Sequence, residues 1–170
     1  MPDLQTDSKE DLEELLLRLM ALAPAGFAAA FHVDFITPRY LFQTYEEGWR
    51  HHYSSHGLVL KDPAVRWGFH NDGIADHEDL VALDTEGVFS DASRHGLHHW
   101  AVVATSRLGL KSIGAFSRRD GGFSRDDKVE IQEVFETIHR LTHRGIEIDP
   151  EFDQMLTALS VNLTHRDPSS

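Results

Sequence analysis

A chain of 170 residues is of ordinary size for one domain, and 41% hydrophobic residues are enough to bury a core. Its formal charge of −12 would repel phosphate backbones, which argues against direct nucleic-acid binding. The absence of cysteine excludes disulfides, thiolate metal sites and cysteine nucleophiles together.

The start, Met1 to Glu10, is acidic and polar and lacks the basic-then-apolar order of a signal peptide. Apolar stretches such as Ala21–Phe31 are broken by Pro24 and Gly26 and are too short to span a bilayer. The expectation is a cytoplasmic protein that makes no membrane contact.

In chain order, Asp7 or Ser8 is placed to cap a helix over Lys9–Ala23, where Leu12, Leu15, Leu16, Leu19 and Met20 recur at helical spacing. Pro24 and Gly26 end it. Phe27–Ile36 reads as a strand, Thr37-Pro38 as a turn, and Tyr40–Thr44 as the returning strand. Tyr45–His56 reads as a helix closed by Gly57. Asp62-Pro63 opens another to about Phe69, with aspartate as cap and proline in the first turn. Asn71-Asp72-Gly73 is a turn. His77–Leu83 fits a short helix or a loop equally, and Ser90–His95 reads as a helix stopped by Gly96.

Trp100–Thr105 and Ser112–Ser117 flank Leu108-Gly109-Leu110 as an antiparallel hairpin. Ser124 caps a long helix over Asp126–His143, with Val129, Ile131, Val134, Phe135, Ile138 and Leu141 on the inner side. Glu151–Leu163 reads as a weaker last helix before a frayed end at Thr164–Ser170. Local hairpins with few long crossovers predict an α/β (α+β) fold, an α-β-α sandwich around a central antiparallel sheet of about five strands. Such a three-layer domain has room for a pocket between the sheet and one helical layer.

The chemistry concentrates in Tyr45–Val65. Trp49 and Tyr53 are four apart and share a helix face, and Asp62 follows at the next helix start. An indole N–H donates, a phenol donates or accepts, and a carboxylate accepts. That set suits a small ligand with carbonyls and one amide N–H. On spacing alone, core aromatics and a helix cap are the plainer explanation.

The run of Trp49, three residues, Tyr53, eight residues, Asp62-Pro63 and then apolar Val65 resembles the autoinducer-binding domain of LuxR-type quorum-sensing regulators. The order of elements extends the likeness over about Leu12–Leu141. Gly96-Leu97 and Ile113-Gly114-Ala115-Phe116-Ser117 fit it more loosely.

The resemblance implies that Trp49 donates to a lactone carbonyl, Tyr53 bonds the acyl carbonyl and Asp62 accepts the amide N–H of an N-acyl-homoserine lactone. Ser117 would add a hydroxyl. Tyr45, Phe35, Leu58, Val65 and Val102 would hold the acyl tail, at about 0.8 kcal/mol per buried CH₂. The scaffold is that of GAF- and PAS-like sensors, so another small molecule is an alternative ligand. No cofactor is implied beyond the signal itself.

Three departures stand out. His77 occupies the place of a tryptophan that closes over the lactone. Trp100 stands where a small residue is usual. Residues 1–148 would form the sensor domain, and 149–170 only a helix and polar tail, too short for the helix-turn-helix domain of those regulators. The expected role is therefore a stand-alone sensor or modulator. It would form a homodimer, or a heterodimer with a LuxR-type regulator, through the long helix. A protein-interaction module with an altered or vestigial pocket is the rival reading.

Other chemistry finds little support. His52 and His56, His139 and His143, and His95, His98 and His99 are close in sequence, but HExxH is missing and surface histidines are expected from a chain with twelve. GxSxG, GxGxxG and the P-loop are missing too, so the expectation is no enzyme and no metal.

Overall fold

The structure, a computed structural model, describes residues 4–143, with side chains from Glu10 onward. The helix expected over Glu151–Leu163, the end at Thr164–Ser170 and the boundary at residue 148 lie outside the described residues. Helix α1 spans Leu4–Leu22, followed by strands β1 (Gly26–Asp34) and β2 (Thr37–Gln43). Helix α2 covers Glu47–Ser55, a single 3₁₀ turn Leu58–Leu60, and α3 Pro63–His70. Strand β3 (Gly73–Asp76), short helices α4 (His77–Val81) and α5 (Val88–Ser93), strands β4 (His99–Thr105) and β5 (Lys111–Arg118), and helix α6 (Arg125–His143) complete it.

The five strands form one antiparallel sheet in the order β2-β1-β5-β4-β3. One face packs on α1 and α6 through Leu12, Leu16, Leu19, Phe27, Phe31, Phe116, Ile131 and Phe135. The other carries Tyr45, Trp49, Leu58, Leu80, Phe89, Trp100 and Val102 under α2–α5. The strand β4 is buried almost throughout, as a strand covered on both faces must be. Gly68 lets α3 lie close on the sheet, because an added Cβ there would sit 2.7 Å from the Ile113 side chain.

Several expected boundaries move. α1 starts at Leu4, so Asp7 and Ser8 lie inside the helix and do not cap it; the nearest breaker before them is Pro2. The first hairpin turns at Phe35-Ile36, not Thr37-Pro38, which opens β2 in register with Asp34 and Val33. Proline is tolerated there because β2 is an edge strand. β3 was not foreseen: four residues, pairing only with β4, are too few for a periodic signal. On α6 the inner side carries His139 and Thr142 as well as Ile131, Val134, Phe135 and Ile138, while Val129 is exposed and Leu141 only partly buried.

Candidate functional site

The α2–turn–α3 segment builds the site. Gly57 takes the left-handed conformation, φ 59°, and reverses the chain after α2. The 3₁₀ turn then brings Asp62 to the start of α3. Its Oδ1 accepts the Ala64 N–H at 2.9 Å as a helix cap. Its Oδ2 accepts the Tyr53 hydroxyl at 2.7 Å. Trp49, one turn earlier on α2 and buried, holds its ring 5.7 Å from that of Tyr53. An indole, a phenol and a carboxylate thus stand together against the sheet.

Electrostatics sharpen this picture. Lost hydration raises the pKa of Asp62, and Asp84 adds to the rise; the bonds from Tyr53 and Ala64 oppose it. Burial, with the Asp62 charge beside it, raises the Tyr53 phenol. Tyr53 is therefore a neutral phenol at neutral pH, and its hydroxyl donates to Asp62 Oδ2. Its proton is committed to Asp62, so the structure uses it to orient that carboxylate and not to reach outward. Tyr45 is buried and donates to the Ala115 carbonyl at 3.0 Å, so its hydroxyl too is engaged within the protein.

The remaining candidates divide. Leu58, Val102 and Tyr45 belong to the buried cluster around Trp49. Ser117 is fully buried on that same face, opposite Trp100 in the β4–β5 ladder, and donates to the His99 carbonyl at 3.0 Å. His77, partly buried, lies against Phe89 and His99 at 6.2 and 6.0 Å between ring centroids. Val65 is partly buried on α3 and outside that cluster. Phe35 is a correction: it sits at the β1–β2 turn, 90% exposed and with φ 57°, and cannot line a pocket. It was expected there from the family resemblance, but the tight turn carries it out into solvent.

Trp100 settles on the Trp49 side of the sheet, packed between Tyr45 and Phe89 at 6.1 and 5.3 Å. Sequence parity alone left this undecided. Asp84 and Phe89 went unnoticed. Asp84 accepts from the Val88 and Phe89 N–H groups at 3.1 and 3.0 Å and so fixes α5 beneath the site. Asp84 stands three residues before Gly87, the N-cap of α5, too far upstream for the capping rule to point to it.

The histidines include a further correction. His139 is fully buried, not on the surface, and His32 is 3% exposed. Among the described residues, no group of three or more His, Asp or Glu is arranged to hold a metal ion. Nor is any described helix long and apolar enough to cross a membrane.

The family of autoinducer-binding domains matches residues 8–144, and so includes every element from α2 to α6. The chain belongs to the autoinducer-binding domain family. Solved structures with the same fold include SdiA in complex with octanoyl-rac-glycerol, at 17% identity and TM-score 0.58 over 84% of this chain and 63% of that one. Another is a solution structure of residues 1–171 of Escherichia coli SdiA, at 15% identity and TM-score 0.61, covering 82% and 86%. A third is the N-acylhomoserine-lactone-dependent LuxR-family transcription factor CepR2 of Burkholderia cenocepacia, at 15% identity and TM-score 0.55, covering 84% and 95%. This autoinducer-binding domain therefore spans less than two thirds of the longer SdiA chain. No curated protein matches it significantly by sequence.

Proposed function

We propose that this domain binds an N-acyl-homoserine lactone or a related acylated signal between the sheet and the α2–α5 layer, performs no catalysis, and acts in the cytoplasm as a sensor or modulator. The observation that carries this is the Tyr53–Asp62 bond beside buried Trp49. A carboxylate with two of its acceptor sites filled retains others for an amide N–H. The Trp49 N–H would donate to a head-group carbonyl. Ser117 would reach an acyl carbonyl by turning its proton away from His99. Leu58, Val102 and Tyr45 would contact the tail. That SdiA holds an octanoyl-glycerol and CepR2 depends on an N-acylhomoserine lactone supports an acyl tail with a variable head group.

Binding the folded state alone would stabilise it by about 2.7 kcal/mol at a hundredfold excess over Kd. For a domain of this size that is a rise of roughly 5–10 °C in Tm. Melts against acyl-homoserine lactones of increasing chain length should show such a rise for at least one member. Flat melts across the panel would overturn the lactone reading. Pairing with a second copy or with a LuxR-type regulator is part of the same proposal, and native mass spectrometry reads it together with any retained ligand. An α6 interface would be mainly polar, because that helix buries Ile131, Val134, Phe135 and Ile138.

A further inference from the structure

Two hairpin turns stand side by side at one end of the sheet. Val33 pairs with Lys111 as the last step of the β1–β5 ladder, and Phe35-Ile36 and Leu108-Gly109-Leu110 lie just beyond it. Neighbouring strands are about 4.8 Å apart, so the turns adjoin. Both carry large apolar side chains in solvent: Phe35 is 90% exposed, Ile36 86%, Leu108 55% and Leu110 45%. Phe35 and Leu108 also hold left-handed backbones, φ 57° and 67°, where glycine or asparagine is favoured. Folding gains little from either side chain. Exposed apolar groups kept on a strained backbone mark a contact surface.

Charge says what that surface meets. The chain has 28 acidic and 16 basic residues, yet exposed arginines surround these turns. Arg39 follows the first turn on β2, and Arg107 lies in the second. Arg140 is in the last turn of α6, beside His139, which bonds the Arg107 carbonyl. Of the acids beside the turns, Asp72 is paired with Lys111 at 2.8 Å, which leaves Asp34 against three arginines. A second copy docked here would bring like charges face to face across a two-fold axis. An anionic lipid surface instead pairs with the cations and takes in the apolar turns. The acidic remainder of the domain is repelled from such a surface, which presents this end first.

We propose that the Phe35-Ile36 and Leu108-Gly109-Leu110 turns, with Arg39, Arg107 and Arg140 around them, dock this domain on an anionic phospholipid surface. The expectation of no membrane contact rested on the lack of a spanning segment, and docking at headgroup depth needs none. The contact lies outside the Trp49 cluster and does not depend on signal binding.

Co-sedimentation of the full 170-residue chain with vesicles tests this, one set of phosphatidylethanolamine with phosphatidylglycerol and one of phosphatidylcholine alone. Binding to the anionic set should be roughly tenfold tighter and should weaken as salt is added. The pair Phe35→Asn and Leu108→Asn suits the left-handed backbone, so the protein should melt no lower while vesicle binding falls roughly fivefold or more. Replacing Arg39, Arg107 and Arg140 together by Gln should remove the preference for anionic lipid. Phe35→Trp should show fluorescence quenched by brominated lipid, a direct reading of insertion. Absence of binding, equal binding to both vesicle sets, binding unchanged in the asparagine pair, or no quenching of Phe35→Trp would overturn the proposal. A dimer in sedimentation equilibrium that the asparagine pair dissociates would also overturn it, and assign the patch to a second copy.

Discussion

The Asp62 carboxylate holds the N-terminus of α3 with one oxygen and the Tyr53 hydroxyl with the other. Substitutions there report on two roles that can be separated. Asp62→Ala removes the cap, so the ligand-free protein should lose about 1 kcal/mol, a few degrees of Tm. Asp62→Asn keeps a capping oxygen, so its ligand-free melt should stay closer to wild type. Both should lose most of the signal-induced shift, because neither offers a carboxylate to an amide N–H. A retained shift in Asp62→Asn would show that the ligand does not use the charge. Tyr53→Phe leaves Oδ2 without its donor and frees the carboxylate to turn. Affinity should fall roughly tenfold, equivalent to about 1.4 kcal/mol, while the α3 cap is preserved. Calorimetry on this variant distinguishes a carboxylate that must be held in place from one that merely needs to be present.

At the scale of elements, the β1–β2 hairpin carries a strained position. Phe35 is left-handed and almost wholly exposed, so its side chain contributes little burial against that backbone cost. Phe35→Asn should raise stability by up to about 1 kcal/mol and leave any ligand-induced shift unchanged, since the turn is not part of the Trp49 cluster. A lowered melt, or a lost ligand shift, would return Phe35 to the site. The same hairpin shows why some features were legible in the sequence and others were not. Helical spacing placed Trp49 and Tyr53 on one face, and the Asp62-Pro63 pair fixed where α3 begins; both are local rules acting within a few residues. Ser124 capping α6 was legible for the same reason, its Oγ accepting the Asp127 N–H at 3.1 Å. What was hidden depends on partners distant in sequence: the face to which β4 turns Trp100, the pairing of four-residue β3, and the burial of His139. Phe35 failed for a different reason: it was expected from the family resemblance, which does not say on which residue the β1–β2 turn falls.

The whole molecule is stapled at one end by histidines. Two residues of β1, Phe31 and His32, run beside the single Ser112 of β5 between the Ala30–Ile113 and Val33–Lys111 pairs, and this bulge places His32 at φ 55° with its ring turned toward α6. Its Nε2 lies 2.8 Å from the Thr142 hydroxyl, which itself donates to the Ile138 carbonyl at 2.7 Å. His32 must therefore donate, which leaves Nδ1 bare and buried. His139 donates from Nε2 to the Arg107 carbonyl at 2.6 Å, so its Nδ1 accepts from Ser112 at 2.7 Å. Both imidazoles are thus fixed in neutral forms, with rings 4.6 Å apart. Burial, then the proximity of His139, His143 and Arg39, lowers the His32 pKa from 6.5 to about 4. Burial lowers His139 as well, with Arg140 and His143 adding to the drop and Glu136 and the Arg107 bond opposing it. A depressed histidine pKa means that the unfolded chain takes a proton that the folded one refuses. This contribution to stability is complete above pH 6.5 and declines as pH falls toward about 4. His32 alone accounts for on the order of 3 kcal/mol across that window. Denaturant unfolding at a series of pH values should show the decline. His32→Asn suits the left-handed backbone and does not titrate, so it should be less stable at pH 7 yet show a flatter slope between pH 6.5 and 4. A slope equal to wild type would mean that other carboxylates and histidines carry the acid sensitivity, and that the α6 staple does not control it.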